Sequence, residues 1–335
     1  MPANIQELQV AISKTAQTAI DTPSTDLIRF NTTSDDIGDV EPIVEDDADE
    51  IGKGHEFAEE SFLTSWRVRK RIQCYNSAEA FAVAAAFGLG NGNAGTYTPI
   101  DPITNPNEIE LPWMTVVEGI RKGGTNPILN RALLGMVMDR FTVTLGKGPG
   151  RANSRIDMEM VGSGKIDENS NLAMPAKTPT HLLSAASLSC TINGTDYVTA
   201  RTFESFSFEW RNNVRDGYYP GSGFQVAGNP TSGQVQGRME FGKRVLTSFF
   251  MARYQAGSTE LATLTAQTAG TMVIGLTGGA GFEASITAHQ TRFKTSRIES
   301  SDGLVTVRVD ISAQYEQTQG LVTITANNQL GPVGR

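Results

Sequence analysis

Two stretches of the chain repeat one pattern and constrain the fold more than any other feature. Residues 131–166 and 282–316 each contain an alternating apolar and polar run, a glycine-containing reversal and a second alternating run. The second run covers residues 156–160 in the first copy and residues 305–311 in the second. A period of two is typical of a half-buried antiparallel strand. Each stretch therefore predicts a β-hairpin.

The segments before the two hairpins also agree in the order of their elements. Residues 60–90 and 237–270 each run through a strand, a tyrosine, a short cap, a helix and a glycine stop. A further strand then leads into each hairpin. This agreement predicts a strand–helix–strand–hairpin unit that is used twice.

The duplicated unit leads to a division of the chain into two tandem domains. We expect an extended N-terminal arm over residues 1–50, a first domain over 51–166, a linker over 167–179 and a second domain over 180–335. Within the arm, a short amphipathic helix is one alternative, because Ile5, Leu8 and Ile12 share one helical stripe.

Composition limits the classes of function. The chain has 335 residues, which suits two domains of ordinary size, and its 34 glycines favour strands and turns. A net charge of −8 argues against nucleic-acid binding, which depends on clustered Lys and Arg. Two cysteines, Cys74 and Cys190, are too few for a disulfide framework or a zinc site. No segment has the pattern of a signal peptide or a membrane span, so we expect a soluble protein made in the cytoplasm.

Carboxylates are concentrated in residues 35–60, where Lys53 is the only Lys or Arg. Like charges repel, so such a run is usually a solvated or extended arm. A calcium loop is the sharper alternative, but the run lacks the ligand spacing of an EF-hand. The arm is therefore the favoured interpretation.

Motifs for catalysis or cofactor binding do not emerge from the sequence. The glycine-rich runs at 88–95 and 146–151 match neither a dinucleotide fingerprint nor a P-loop, and the second lies between two strands, where a hairpin turn is expected. Glu204, Glu209 and Glu240 could supply a carboxylate pair on a β-sandwich, as glycoside hydrolases require. Solvent-facing strand positions explain these residues more simply. We assign no catalytic, cofactor-binding or metal-ligating residue.

Residues 51–66, IGKGHEFAEESFLTSW, precede a strand, an Ala-rich helix and a Gly/Pro-rich loop. Residues 183–222 contain a strand pair, an Asn-rich turn and a long loop. In both respects the chain resembles the major tail-tube proteins of tailed bacteriophages, over most of its length from about residue 50 onward. The likeness rests on pattern and short runs.

The resemblance implies a mainly β protein with two tandem tail-tube-like sandwich or barrel domains, each flanked by one helix. Inner strands would close a barrel across subunits, and stacked rings would conduct DNA without binding it specifically. A single-domain family member forms hexamers, and a duplicated one can form a trimer that imitates a hexamer. The implied partners are further copies of the chain and other tail proteins, with no membrane and no cofactor, in a virion tail assembled in the host cytoplasm.

The polar faces of the two hairpins are the candidates for the lumen wall: Asp157 and Glu159 in one copy, Arg308 and Asp310 in the other. An ordinary solvated strand face is the alternative. The long loops at 91–110 and 213–235 are the candidates for contacts between subunits or rings, unless they are merely mobile loops. Their candidate contact residues are Asn91, Tyr97, Asp101, Tyr218, Tyr219 and Phe224.

Two further classes of function remain open at this point. One is a β-sandwich carbohydrate-binding or carbohydrate-active protein that uses the glutamates named above. The other is a different virion component, such as a connector, an adhesin or a sheath protein.

Overall fold

The structure is a computed structural model. It describes residues 6–19, 22–30, 32–35, 38–46, 61–92, 94–100, 111–122, 126–145, 154–162, 166–168, 170–192, 194–196, 203–214, 245–253, 270–279, 281–301 and 304–335.

Within these residues the chain is mainly β, with a single helix. The elements in chain order are β1 (Gln6–Ser13), β2 (Leu27–Arg29), β3 (Thr32–Asp35), β4 (Asp39–Asp46), β5 (Ser61–Tyr75), α1 (Ala78–Leu89), β6 (Gly90–Asn91), β7 (Thr96–Pro99), β8 (Met114–Lys122), β9 (Asn126–Leu145), β10 (Ser154–Gly162), β11 (Ile166–Asp167), β12 (Ser184–Ile192), β13 (Thr195–Asp196), β14 (Phe203–Arg211), β15 (Val245–Arg253), β16 (Gly270–Gly279), β17 (Phe282–Ser301), β18 (Leu304–Gln314) and β19 (Val322–Asn327).

Both predicted hairpins are confirmed. β9 pairs antiparallel with β10, and β17 pairs antiparallel with β18. The alternation of burial along β10 is complete, with Ile156, Met158 and Met160 buried and the residues between them partly exposed. The period of two in the sequence therefore reports the inner and outer faces of a real sheet.

The two units share one strand order. The first runs β1–β8–β9–β10–β5, and the second runs β12–β16–β17–β18–β15, with every neighbouring pair antiparallel. β9 and β17 are both 20 residues long. Each has a bulge at the same place in its ladder, at Asp139 in β9 and at Lys294 in β17. The structure thus contains the duplicated unit at the level of strand pairing.

The two halves join through β14, which pairs with β15 on one side and with β9 on the other. Together with the remaining ladders, this gives a continuous sheet of eight strands in the order β4–β5–β10–β9–β14–β15–β18–β17. We call it the eight-stranded sheet. One hydrophobic cluster includes Ile72, Phe141, Phe206 and Ile311 and so extends through both halves.

The predicted N-terminal arm and helix are wrong for the residues that the structure describes. Residues 6–13 form β1, which pairs with β8 and β2, and Val10, Ala11 and Ile12 are buried. Asp39–Asp46, within the acidic segment, forms β4 on the edge of β5. Its register places Asp39 opposite Arg69, so that opposite charges on paired strands offset the repulsion within the run.

Helix α1 begins at an N-cap and ends at a glycine, as the sequence predicts. The Ser77 hydroxyl accepts a hydrogen bond from the Ala80 backbone N–H at 3.1 Å, and Gly90 takes the left-handed conformation at the C-cap. Every residue of the helix is buried. Among the described residues no helix is long and apolar enough to cross a membrane.

The segment 167–179 lies against the protein. Its backbone bonds to Asn130 and Arg29, and Leu172 and Met174 pack on a small cluster that contains Ala11. The second helix predicted near residue 258 and the long loop beyond residue 214 lie outside the described residues.

Candidate functional site: the polar sheet face

Among the side chains that the structure describes, one face of the eight-stranded sheet is apolar and buried, and the other carries charged residues. Side chains alternate between the two faces along each strand, so the charged residues of successive strands fall on the same face. We define the polar sheet face by the charged residues at these positions whose side chains the structure describes: Asp39, Glu41, Arg69, Arg71, Arg140, Arg155, Asp157, Glu159, Glu209, Arg211, Arg292, Arg308 and Asp310.

In the first half, ion pairs cross the strands of this face. Arg71 on β5 bonds both carboxylate oxygens of Asp157 on β10, with a distance of 3.0 Å from Nε to Oδ1. Arg140 on β9 lies between Glu159 on β10 and Glu209 on β14. The hydrogen bond to Glu159 raises the pKa of the Arg140 guanidinium. Each of these carboxylates therefore has an arginine as its neighbour.

The second half places Arg308 and Asp310 on the corresponding positions of β18. Met158 lies opposite Ile72 and Phe141, and Val309 lies opposite Phe250 on β15 and Ser296 on β17. Because the two residues occupy the same place in their ladders, β10 can be aligned with β18. By this alignment Asp157 corresponds to Arg308, and Glu159 corresponds to Asp310. The Arg308 Nε lies 3.5 Å from the Asp310 Oδ1.

The structure thus places all four predicted lumen residues on one face, in two equivalent pairs. It also changes their electrostatic interpretation. Three of these four residues are carboxylates, whereas the described side chains of the whole face comprise seven arginines and six carboxylates. Alternating signs produce a surface with little net field, which neither attracts nor strongly repels a polyanion.

Of the six candidate loop residues, the structure describes Asn91 and Tyr97. Tyr97 is fully buried in β7, next to β19, so the prediction that it contacts another subunit is wrong. Burial also raises the pKa of its hydroxyl. Asn91 is partly buried in β6, where its amide donates a hydrogen bond to Thr98. The other four candidates, Asp101, Tyr218, Tyr219 and Phe224, lie outside the described residues.

Of the three candidate glutamates, the structure describes the side chain of Glu209 alone. Glu209 is engaged by Arg140 at 3.5 Å and by Arg211 at 2.7 Å. Glu240 and the side chain of Glu204 lie outside the described part.

Sequence reasoning missed a buried ionic cluster behind the sheet. The Glu118 carboxylate lies 2.7 Å from the Lys70 Nζ and 2.6 Å from the Arg131 Nε, and it accepts a hydrogen bond at 2.7 Å from the Gly38 backbone N–H. Arg131 in turn donates to the Gly38 carbonyl. The cluster anchors the start of β4. The sequence signal for this cluster is a charged residue at a position where the alternation predicts an apolar one. Lys70 has the same phase along the strand as Val68 and Ile72.

A second buried polar residue, Asn212, fastens the end of β14. Its amide donates hydrogen bonds of 2.8 Å to the carbonyls of Gly88 and Met138, and it accepts one of 2.9 Å from the Trp210 indole. It links the helix terminus, the bulge of β9 and β14, and so holds the junction between the two halves.

The ends of the eight-stranded sheet differ from its interior. Among the described residues, β4 pairs only with β5, and residues 293–301 of β17 pair only with β18. Such edges present backbone N–H and C=O groups that can pair with another chain.

No family model and no curated protein matches this chain.

Proposed function

We propose that the protein is a structural subunit that assembles into rings, and that stacked rings form the tube of a phage tail through which DNA passes. The observation that carries this proposal is the eight-stranded sheet. It is built from two equivalent halves, has one apolar and one polar face, and ends in two edges that pair on one side only among the described residues.

The duplication sets the favoured symmetry. Strands from equivalent halves already lie side by side within one chain, where β9 pairs with β14. A ring that continues this arrangement has twice as many equivalent units as chains. Three chains then give a pseudo-six-fold ring, and closure leaves no sheet edge exposed.

The polar sheet face forms the lumen in this proposal. A conduit for DNA must not hold phosphates, and binding to phosphates requires an excess of Lys and Arg. Alternating arginine and carboxylate residues, such as Arg71, Asp157, Arg140 and Glu209, keep the wall hydrated with little net charge. The buried, apolar face of the sheet then points away from the lumen and packs against the hydrophobic core of the subunit.

Electron microscopy of the purified protein, with light scattering for mass, tests the proposal. We expect rings or tubes with an open lumen and a mass of three chains per ring. A monomer that persists at high concentration would contradict the proposal. Binding to a glycan panel without ring formation would favour the carbohydrate-binding alternative.

A further inference from the structure

The pairing of β14 with β9 provides a template for how one copy of the chain meets the next. β14 is the strand that flanks β15, and β4 with β3 flanks β5 at the equivalent place. Both flanking segments have a bulge at the same position of their ladder, at Glu204 in the second half and at Thr33 in the first. β4 is therefore the first-half counterpart of β14.

The partners of these strands are equivalent too. Residues 137–145 of β9 pair with β10 on one side and include the segment that pairs with β14 on the other. Residues 292–301 of β17 pair with β18 in the same way, and no partner is described on their other side. Among the described residues of one chain, one of the two equivalent junctions is made, and the other has no described partner strand.

From this we propose that residues 39–41, at the start of β4 of one copy, pair antiparallel with residues 295–297 of β17 in the neighbouring copy, in the register of the β14–β9 ladder. The inference rests on the ring assembly proposed above and names its interface. In the template, Glu209 lies opposite Thr142, Trp210 opposite Phe141 and Arg211 opposite Arg140.

Transferring that register fixes the new contacts. Asp39 and Glu209 occupy equivalent positions in the two halves, and so do Arg297 and Thr142. Asp39 of one copy then lies opposite Arg297 of the next, and Glu41 lies opposite Thr295.

Charge at the junction supports this register. Within one chain, the ladder between β17 and β18 places Arg297 directly opposite Arg308. Like charges in directly opposite positions destabilise a sheet. Asp39 is exposed at the edge of β4, and the proposed pairing places a residue of opposite charge directly across from Arg297. The buried cluster around Glu118 holds Gly38, the residue before Asp39, and so preorganises the edge.

Disulfide trapping tests the register. Directly opposite residues in an antiparallel ladder have Cα atoms about 4.5–5.5 Å apart, within the range that a disulfide accepts. Under mild oxidation, the variant Asp39→Cys/Arg297→Cys should give covalent dimers and closed trimers on a non-reducing gel. The matched control is Asp39→Cys/Glu299→Cys, which shifts the register by two residues and should cross-link at least fivefold less. Native Cys74 and Cys190 are buried and should remain silent.

The outcomes separate this inference from the proposed function. Efficient trapping by the shifted pair instead would overturn the register. Rings seen by electron microscopy without cross-links from either pair would overturn the interface and leave the ring assembly standing. Absence of both rings and cross-links would overturn both.

A charge-reversal series provides an independent measurement if the cysteine variants assemble poorly. Asp39→Arg and Arg297→Asp should each raise the concentration for half-assembly by about two- to fivefold. The double reversal should recover most of that loss. A double variant that assembles no better than the worse single variant would count against a direct contact.

Discussion

Glu118 and Lys70 form an ion pair whose side chains are both at 0% exposure, with 2.7 Å between Oε1 and Nζ. Removing one member of a buried pair leaves an uncompensated charge in the interior. Glu118→Ala should therefore lower the free energy of unfolding by about 3–5 kcal/mol. Urea denaturation followed by circular dichroism measures the change.

The matched control for this substitution is Glu168→Ala, because Glu168 is exposed. It should change the free energy of unfolding by less than about 0.5 kcal/mol. Equal effects at the two positions would show that the buried cluster has no special role in stability.

Asn212 should be another sensitive position. Asn212→Ala removes the partners of two buried carbonyls and of the Trp210 indole N–H. Unsatisfied buried polar groups cost about 1–3 kcal/mol, so we expect a loss of at least that size. Thermal unfolding detects it, with Gln314→Ala on the exposed face of β18 as the control. A variant as stable as the wild type would contradict the role of Asn212 at the junction of the halves.

The two cysteines should be inert in the folded protein. Burial raises the pKa of the Cys74 thiol to about 12 and also raises that of Cys190. The thiolate is the reactive form, so at pH 8 neither residue should react with a thiol reagent within minutes. Both should react promptly in denaturant. Rapid labelling of the native chain would mean that at least one thiol is accessible.

Assembled rings should not retain duplex DNA. The polar sheet face offers arginines whose charges are offset by Asp157, Glu159 and Glu209, so a gel-shift assay at about 0.15 M salt should show no binding. Replacing Asp157 and Glu159 by Lys should create binding that weakens steeply with salt. Tight binding by the wild type would contradict a passive lumen wall.

Several features of the fold could be predicted because they depend on neighbours in sequence. The alternation through Ile156, Met158 and Met160 predicts the face that β10 buries, and a cap at Asn76 or Ser77 predicts the start of α1. Both signals are local, since side-chain period and helix capping involve residues only a few positions apart.

Other features could not be read in this way. The acidic run around Asp39 predicts an extended, self-repelling arm, but Arg69 lies opposite Asp39 on a strand about thirty residues later. Tyr97 sits in a Gly/Pro-rich loop by its sequence context, yet β19 from the far end of the chain covers it. In both cases the deciding contact comes from a distant strand.

The sequence by itself determined a mainly β chain with a duplicated hairpin unit, because hydrophobic period and element order are written along it. Only the tertiary structure decided how the halves join. The β9–β14 ladder, the Glu118 cluster and the alternating charges of the polar sheet face all depend on which strands become neighbours. Strand partnership is a long-range choice, made by the packing of the whole core, and a local pattern does not encode it.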